Sequence, residues 1–201
     1  AIENGVDLVI ELPTIYSIQS AEFFALGSIK LLESLNIIDY ISFGSEIGDI
    51  TPLKMLAQLY IDEPNKYKYS LKEGLSNGLS FPAARHKATV EYFKSIGTYD
   101  YDFGKILSSS NNILAIEYLK FLYKFNSRMI PVTINRLGAG HKEKQLSNKI
   151  ASATSIRKAV LEKNIKMVED YLPPKSFNCI KEYKTLNKLD NYSQILVYLL
   201  R

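Results

Sequence analysis

Three short apolar runs, Val6–Leu12, Tyr40–Phe43 and Ile130–Asn135, alternate with long stretches of helical spacing, and this alternation constrains the fold more than any other feature. Runs this short and this rich in β-branched residues and leucine suit strands covered on both faces, as in a parallel sheet. Parallel strands require crossover connections, usually helical. The pattern therefore predicts an α/β sheet wound with right-handed crossovers. In such sheets ligands lie beyond the carboxyl ends of the strands. That rule predicts Gly44, Arg136 and the helix opening at Ser152 on one rim, joined by Asn111 if its helix packs alongside.

Punctuation residues divide the rest. Pro13 ends the first run, and Ser20 is placed to cap a helix reaching Leu35. The region from Ile50 to Gly104 reads as helical, with starts marked by Pro52 and by Ser80 with Pro82. Asn111 is placed to cap a helix whose polar residues, Glu117, Lys120 and Lys124, form one thin wet stripe. Pro173-Pro174 separates the Ser152 helix from terminal helices, the last of them carrying Leu189, Tyr192, Ile195, Leu196, Leu199 and Leu200. The expected organisation is a domain over 1–151 with a helical insertion at about 50–105, followed by a helical region over 152–201. A strand with nothing before it and a helix reaching Arg201 without a cap suggest an internal piece of a longer protein.

Composition excludes several classes. Cys179 has no partner for a disulfide, and two His with one Cys cannot furnish the four ligands of a structural zinc site. No apolar run approaches the ~18 residues of a membrane span. The absence of a charged-then-apolar leader makes the cytoplasm the expected compartment. Residues 1–100 carry 8 Lys+Arg against 13 Asp+Glu, whereas residues 101–201 carry 17 against 8. The basic half suggests a polyanionic partner, against the plainer reading of a solvated lysine surface.

Ser152-Ala153-Thr154-Ser155-Ile156-Arg157 is the most informative segment. Hydroxyl residues at a helix start are often plain caps, but no Glu or Gln completes a capping box here. Arg157 and Lys158 fall in what the pattern makes the first turns, where the helix dipole opposes cations. A bound phosphate would reverse that sign, so the segment reads as a phosphate-binding helix start. Gly44 permits close backbone approach to a ligand, though a glycine ending a strand is often a turn. Asn111-Asn112 reads as a cap or as an adenine or ribose contact. Arg136, directly after a buried strand, suits a phosphate or an ion pair. His86 and His141 are expected as lone surface residues and Cys179 as a small buried hydrophobe. Lys66-Tyr67-Lys68-Tyr69 reads as a solvated helix end rather than a base-stacking platform. From Arg136 to Lys188 there are 12 Lys+Arg and 5 acids, interleaved with Tyr171, Phe177 and Tyr183, a nucleic-acid signal of medium strength.

Gly5–Pro13, Gln19–Ala25, Ser42-Phe43-Gly44-Ser45-Glu46, Asn111–Leu114, Ile134–Gly140 and Ile150–Arg157 follow one another along the chain. In that order they resemble the corresponding segments of the bacterial tRNA(Met) cytidine acetate ligases. The resemblance implies the nucleotidyltransferase version of the Rossmann fold, with its first βα unit and its His-x-Gly-His signature expected ahead of Ala1. It implies activation of acetate by ATP to acetyl-adenylate, then transfer of the acetyl group to N4 of the wobble cytidine of elongator tRNA(Met). Matching positions make Gly44, Asn111 and Arg136 ATP contacts, with Leu137 beside Arg136. Ser152, Thr154, Ser155 and Arg157 become the phosphate-binding helix start. Arg136 and Arg157 are the expected catalytic cations, with Mg²⁺ on the leaving pyrophosphate and no protein metal ligands. Ser110 replaces the family's proline before the Asn pair. His141-Lys142-Glu143 replaces its Tyr-His-Asp, and no role is assigned to that loop. The isolated 201 residues are expected to be inactive. A small-molecule adenylyltransferase and a catalytically dead tRNA-binding fragment are the alternative readings.

Overall fold

A computed structural model describes residues 1–136, 151–183 and 189–200 of the chain. Two units are distinguished by their internal contacts: Ile10–Arg136, and Ala1–Val9 with Leu137–Arg201. The first contains α1 (Thr14–Ser17), α2 (Ala21–Leu35), β1 (Tyr40–Ser45), α3 (Ile50–Asp62), α4 (Asn65–Ser76), α5 (Phe81–Ser95), α6 (Phe103–Leu107), α7 (Ser110–Lys124) and β2 (Ile130–Asn135). β1 and β2 pair in parallel, in register from Tyr40 with Ile130 to Ser45 with Asn135. The chain between them supplies five helices, α3 to α7, so the expected α/β class with a helical insertion is observed.

Local chemistry accounts for the helix starts. Ser20 and Ser80 take extended N-cap conformations, and Pro82 stands in the first turn of α5, where its missing N–H is no loss. The Asp49 side chain accepts from the Thr51 amide and caps α3 (2.8 Å). That bond, with the Tyr101 hydroxyl at 3.2 Å, holds the Asp49 carboxyl below its ordinary value. α2 ends at Asn36 in the left-handed region (φ 53), a conformation asparagine tolerates.

α7 is the hub. It packs against α2, α3, α6 and β1, and Ala115, Ile116, Leu119 and Leu122 on it are buried together with Ile29 of α2 and Leu53 and Leu56 of α3. The wet stripe predicted on this helix is wet only at Lys124. Glu117 and Lys120 are buried, with Lys120 Nζ 2.5 Å from one Glu117 oxygen and Arg85 donating to the other at 3.2 and 3.3 Å. Lys120 also reaches Glu22 of α2 at 3.3 Å. Helical spacing registers polarity but not partners, and here α5 and α2 bring the opposite charges. Arg85 further lies over the Tyr60 ring, 3.7 Å from its centre. Tyr67 of the supposed solvated helix end is likewise buried, and that burial pushes its phenol up to about 12.

Two expectations about the strands fail. Val6–Leu12 pairs with no strand among the described residues, and Val6, Leu8, Val9 and Ile10 are exposed. An extended segment gains strand structure only when a neighbour takes its backbone N–H and C=O groups, which composition cannot supply. β2 is not buried either. Ile130, Val132 and Ile134 are exposed, because α7 packs on β1 and nothing among the described residues covers this row of β2.

The second unit holds α8 (Ala153–Leu161), α9 (Pro174–Glu182) and α10 (Ser193–Leu199), with 3-10 segments at Ile2–Asn4, Ile165–Tyr171 and Leu189–Tyr192. Val168 is fully buried against Ala159, Val160 and Phe177. Phe177 is the residue that α9 buries, and Cys179, two positions on, is exposed rather than buried as expected. Among the described residues no helix is long and apolar enough to cross a membrane.

Candidate functional site

The carboxyl ends of β1 and β2 and the amino end of α7 meet at one place. Arg136 directly follows β2, and its backbone N–H donates to the Ser45 carbonyl at 3.0 Å, extending the ladder by one bond. Its side chain lies across Gly44: a Cβ built there would stand 3.2 Å from Arg136 Cγ and 3.9 Å from Nη1. The glycine thus makes room for the arginine, a closer purpose than the open backbone approach that sequence suggests. Arg136 Nη1 points toward Asn111 Oδ1 at 3.5 Å, a long contact. Gly44, Asn111 and Arg136, distant in sequence, are therefore brought together.

Below them the strand ends are fastened. Ser45 Oγ shares a hydrogen bond with Thr133 Oγ1 (2.7 Å) and accepts from the Gly48 amide (3.0 Å). Gly48 has φ +66, and a Cβ there would fall 2.6 Å from the Asn135 Cβ, so both conformation and space require glycine.

Asn111 does not cap α7. The N-cap position is Ser109, whose side chain makes no capping bond. The acceptor comes instead from Glu46, just past β1. One Glu46 oxygen accepts from the Asn112 amide at 2.8 Å, and the other accepts from Asn111 Nδ2 at 2.7 Å and from the Asn111 amide at 3.3 Å. In return the Glu46 and Ile47 amides donate to Asn112 Oδ1 at 2.9 and 3.2 Å, and Asn112 Nδ2 donates to the Ile106 carbonyl. Burial pulls the Glu46 carboxyl upward, but hydrogen bonds from the Asn111 side chain and the backbone amides outweigh it and hold the group below its ordinary value. Sequence reasoning assigned Glu46 nothing. Its one visible signal is an acid directly after the strand-ending Gly44-Ser45.

α8 lies in the other unit. Ser152 accepts from the Ser155 amide at 3.1 Å, and Ser155 Oγ donates back to the Ser152 carbonyl at 2.8 Å. Ser155 holds the third helical position, but its hydroxyl donates to the Ser152 carbonyl where a capping-box Glu or Gln would accept from the amide, and these hydroxyls serve the helix's own amino end. Ser155 is buried, Thr154 half-buried and Arg157 exposed. The dipole argument from sequence does not hold for Lys158. In a helix of nine residues it stands in the last turn, where a cation is favoured, and it pairs with Glu162 at 3.8 Å. Leu137 and the His141-Lys142-Glu143 loop lie outside the described residues. His86 Nε2 meets the Gly104 carbonyl at 3.1 Å, away from this cluster.

The chain matches the family described as HIGH Nucleotidyl Transferase over residues 1–201. It is 48% identical over 202 residues to the tRNA(Met) cytidine acetate ligase of Clostridium perfringens, covering 98% of this chain and 50% of that protein. It is 47% identical to the enzyme of the same name from Caldanaerobacter subterraneus subsp. tengcongensis, covering 100% and 50%. The chain thus spans about half the length of the curated relatives it matches. Among solved structures, Thermotoga maritima TmcAL in its apo form aligns with a TM-score of 0.82 at 36% identity, over 88% of this chain and 41% of that one. A second crystal form of the same protein, bound with alpha-thio ATP, aligns with a TM-score of 0.78 at 35% identity, over 88% and 40%.

Proposed function

The chain belongs to the HIGH nucleotidyl transferase family, and on that premise we propose that it forms the ATP-handling part of a tRNA(Met) cytidine acetate ligase. The observation that carries this reading is the convergence of Gly44, Asn111 and Arg136 beyond the carboxyl ends of two parallel strands, where such sheets receive ligands. The likeness to a TmcAL crystal form bound with alpha-thio ATP supports ATP as the nucleotide. The names of the relatives support acetate and tRNA(Met) as the other substrates.

In this reading an acetate oxygen attacks the α-phosphorus of ATP, the new O–P bond forms, and pyrophosphate leaves to give acetyl-adenylate. The approach brings two anions together, so catalysis consists of positioning and of neutralising charge that develops at the phosphorus. Arg136, exposed at the rim and held over Gly44, is one cation for that role, and Arg157 of α8 is the second. Gly44 and Asn111 contact the nucleotide, with Leu137 beside Arg136. Ser152, Thr154 and Ser155 serve its phosphates by shaping the amino end of α8, since two of their hydroxyls close that turn internally. The cytidine N4 amine then attacks the acyl carbon, and AMP departs. A wobble base lies in a single-stranded loop and reaches the site without melting a duplex. The basic stretch after Arg136 holds the tRNA backbone.

Mg²⁺ fits this site as an ion held by the nucleotide. The carboxylate at the rim, Glu46, is engaged by three donors of α7. Among the described residues no group of three His, Cys, Asp or Glu is placed to bind a metal. Bound to phosphate oxygens and water, Mg²⁺ would supply charge neutralisation on the pyrophosphate. The cytoplasm, where tRNA is available, is the compartment this reading assigns.

The test is the intact protein incubated with ATP, acetate and elongator tRNA(Met). Acetylcytidine at the wobble position, with ATP converted to AMP and pyrophosphate, is the expected result. No acetylcytidine at saturating substrates would contradict the proposal.

A further inference from the structure

The carboxylate of Glu46 decides which way the Asn111 amide faces, and that decision has a consequence for the ligand. A carboxylate only accepts hydrogen bonds, so the group Asn111 turns toward it must be the NH₂ (2.7 Å). The guanidinium of Arg136 only donates, and the atom of Asn111 that faces it is Oδ1. Two charged neighbours of opposite sign therefore fix the same orientation. One Nδ2 hydrogen is held by Glu46, and this leaves Oδ1 on the side of Arg136. On that side the side chain presents a carbonyl acceptor, with the Arg136 donor beside it.

We propose that Glu46 is a positioning residue that locks Asn111 as an acceptor, so that Asn111 and Arg136 together read an adjacent donor and acceptor on the nucleotide. The inference rests on the ATP-site reading above and adds to it the polarity of the contact and the residue that sets it. A phosphate oxygen at Oδ1 would meet another acceptor, so the partner matched to Oδ1 is a donor; the phosphates belong to cations and amides. Two parts of ATP present a donor next to an acceptor: the 6-amino group with its ring-nitrogen neighbour, and the ribose hydroxyls. Both satisfy the same chemistry. The reciprocal bonds from the Glu46 and Ile47 amides to Asn112 make the lock rigid, since they tie the end of β1 to the first turn of α7 from both sides.

Nucleotide analogues separate the outcomes without any substitution. Binding of ATP, purine riboside triphosphate (no 6-amino group), 2′-deoxy-ATP and 3′-deoxy-ATP to the intact protein is measured by titration. The analogue lacking the matched donor is expected to bind about tenfold more weakly than ATP, the size of one lost neutral hydrogen bond at a part-exposed site. Which analogue loses affinity identifies base or ribose as the edge that is read. In Glu46→Gln the side chain presents both a donor and an acceptor, the Asn111 amide is free to turn, and the discrimination is expected to fall toward onefold. A merely structural Glu46 would leave that ratio unchanged while altering stability. Equal affinity for ATP and all three analogues, or full discrimination retained in Glu46→Gln, overturns the inference while leaving the ATP site standing. Absence of ATP binding altogether overturns the site and the inference together.

Discussion

At Gly44 a single hydrogen separates a working rim from an obstructed one. Gly44→Ala would press a methyl against Arg136 at 3.2 Å. Relieving that contact moves the guanidinium at a cost of roughly 1 kcal/mol, about fivefold in affinity. ATP titration is expected to show that loss while the unfolding midpoint stays unchanged, since Arg136 is exposed. Glu46 makes the complementary case, because its bonds belong to the fold as well as to the site. Its carboxyl is held below the ordinary 4.5 in the native state, so the sign of its contribution follows directly. The stability it adds is present above about 4.5, where the unfolded chain is already ionised, and is lost as acid protonates the native group. Glu46→Gln is therefore expected to be less stable than the parent at neutral pH, by about 1 kcal/mol for a lost helix-capping acceptor. The gap should close as pH falls through the acid range. Chemical unfolding at a series of pH values checks this, and a gap independent of pH would contradict it. Gly44 and Arg136 were visible in sequence as residues ending apolar runs. Glu46 was not, because its partners lie 65 and 66 positions away and nothing local marks the connection.

Among the elements, α7 carries the most. Deleting Glu117 would leave the buried Lys120 and the largely covered Arg85 without their common partner. Removing one member of a buried charge cluster costs about 3–5 kcal/mol, and Glu117→Ala is expected to lose that much in denaturant unfolding. Leu119→Ala, at a fully buried position of the same helix, should lose about 2–5 kcal/mol through its cavity. A loss below 1 kcal/mol in both would show that α7 is not the hub. The strands and helix starts that sequence placed correctly share one property: their signals are local. β1, β2 and the serine- and proline-marked starts of α2 and α5 fall where expected. Val6–Leu12 has the composition of a strand but no pairing among the described residues, and pairing is a long-range event. Glu117 and Lys120 look solvated by spacing alone, since their counter-charges sit on α5 and α2. At α8 the pattern suggested cations opposed by the dipole, and the observed length of nine residues reverses that for Lys158.

For the molecule as a whole, the uneven distribution of charge leads to an expectation about RNA. With 12 Lys+Arg and 5 acids between Arg136 and Lys188, tRNA binding by the intact protein is expected to weaken steeply with salt. Six or more phosphate contacts correspond to a loss of about a thousandfold between ~50 and ~200 mM. A shallow dependence would place the tRNA elsewhere. The family and the parallel-sheet class were legible because ordered segments along the whole chain carry them. The geometry joining Gly44, Asn111 and Arg136 was legible only as a rim, and its hydrogen bonds required three dimensions. Whether this rim holds ATP is decided by titrating ATP into the intact protein and its Arg136→Ala variant. Saturable binding that weakens at least tenfold in the variant, with an unchanged unfolding midpoint, is expected; equal affinity in both proteins would overturn the ATP site.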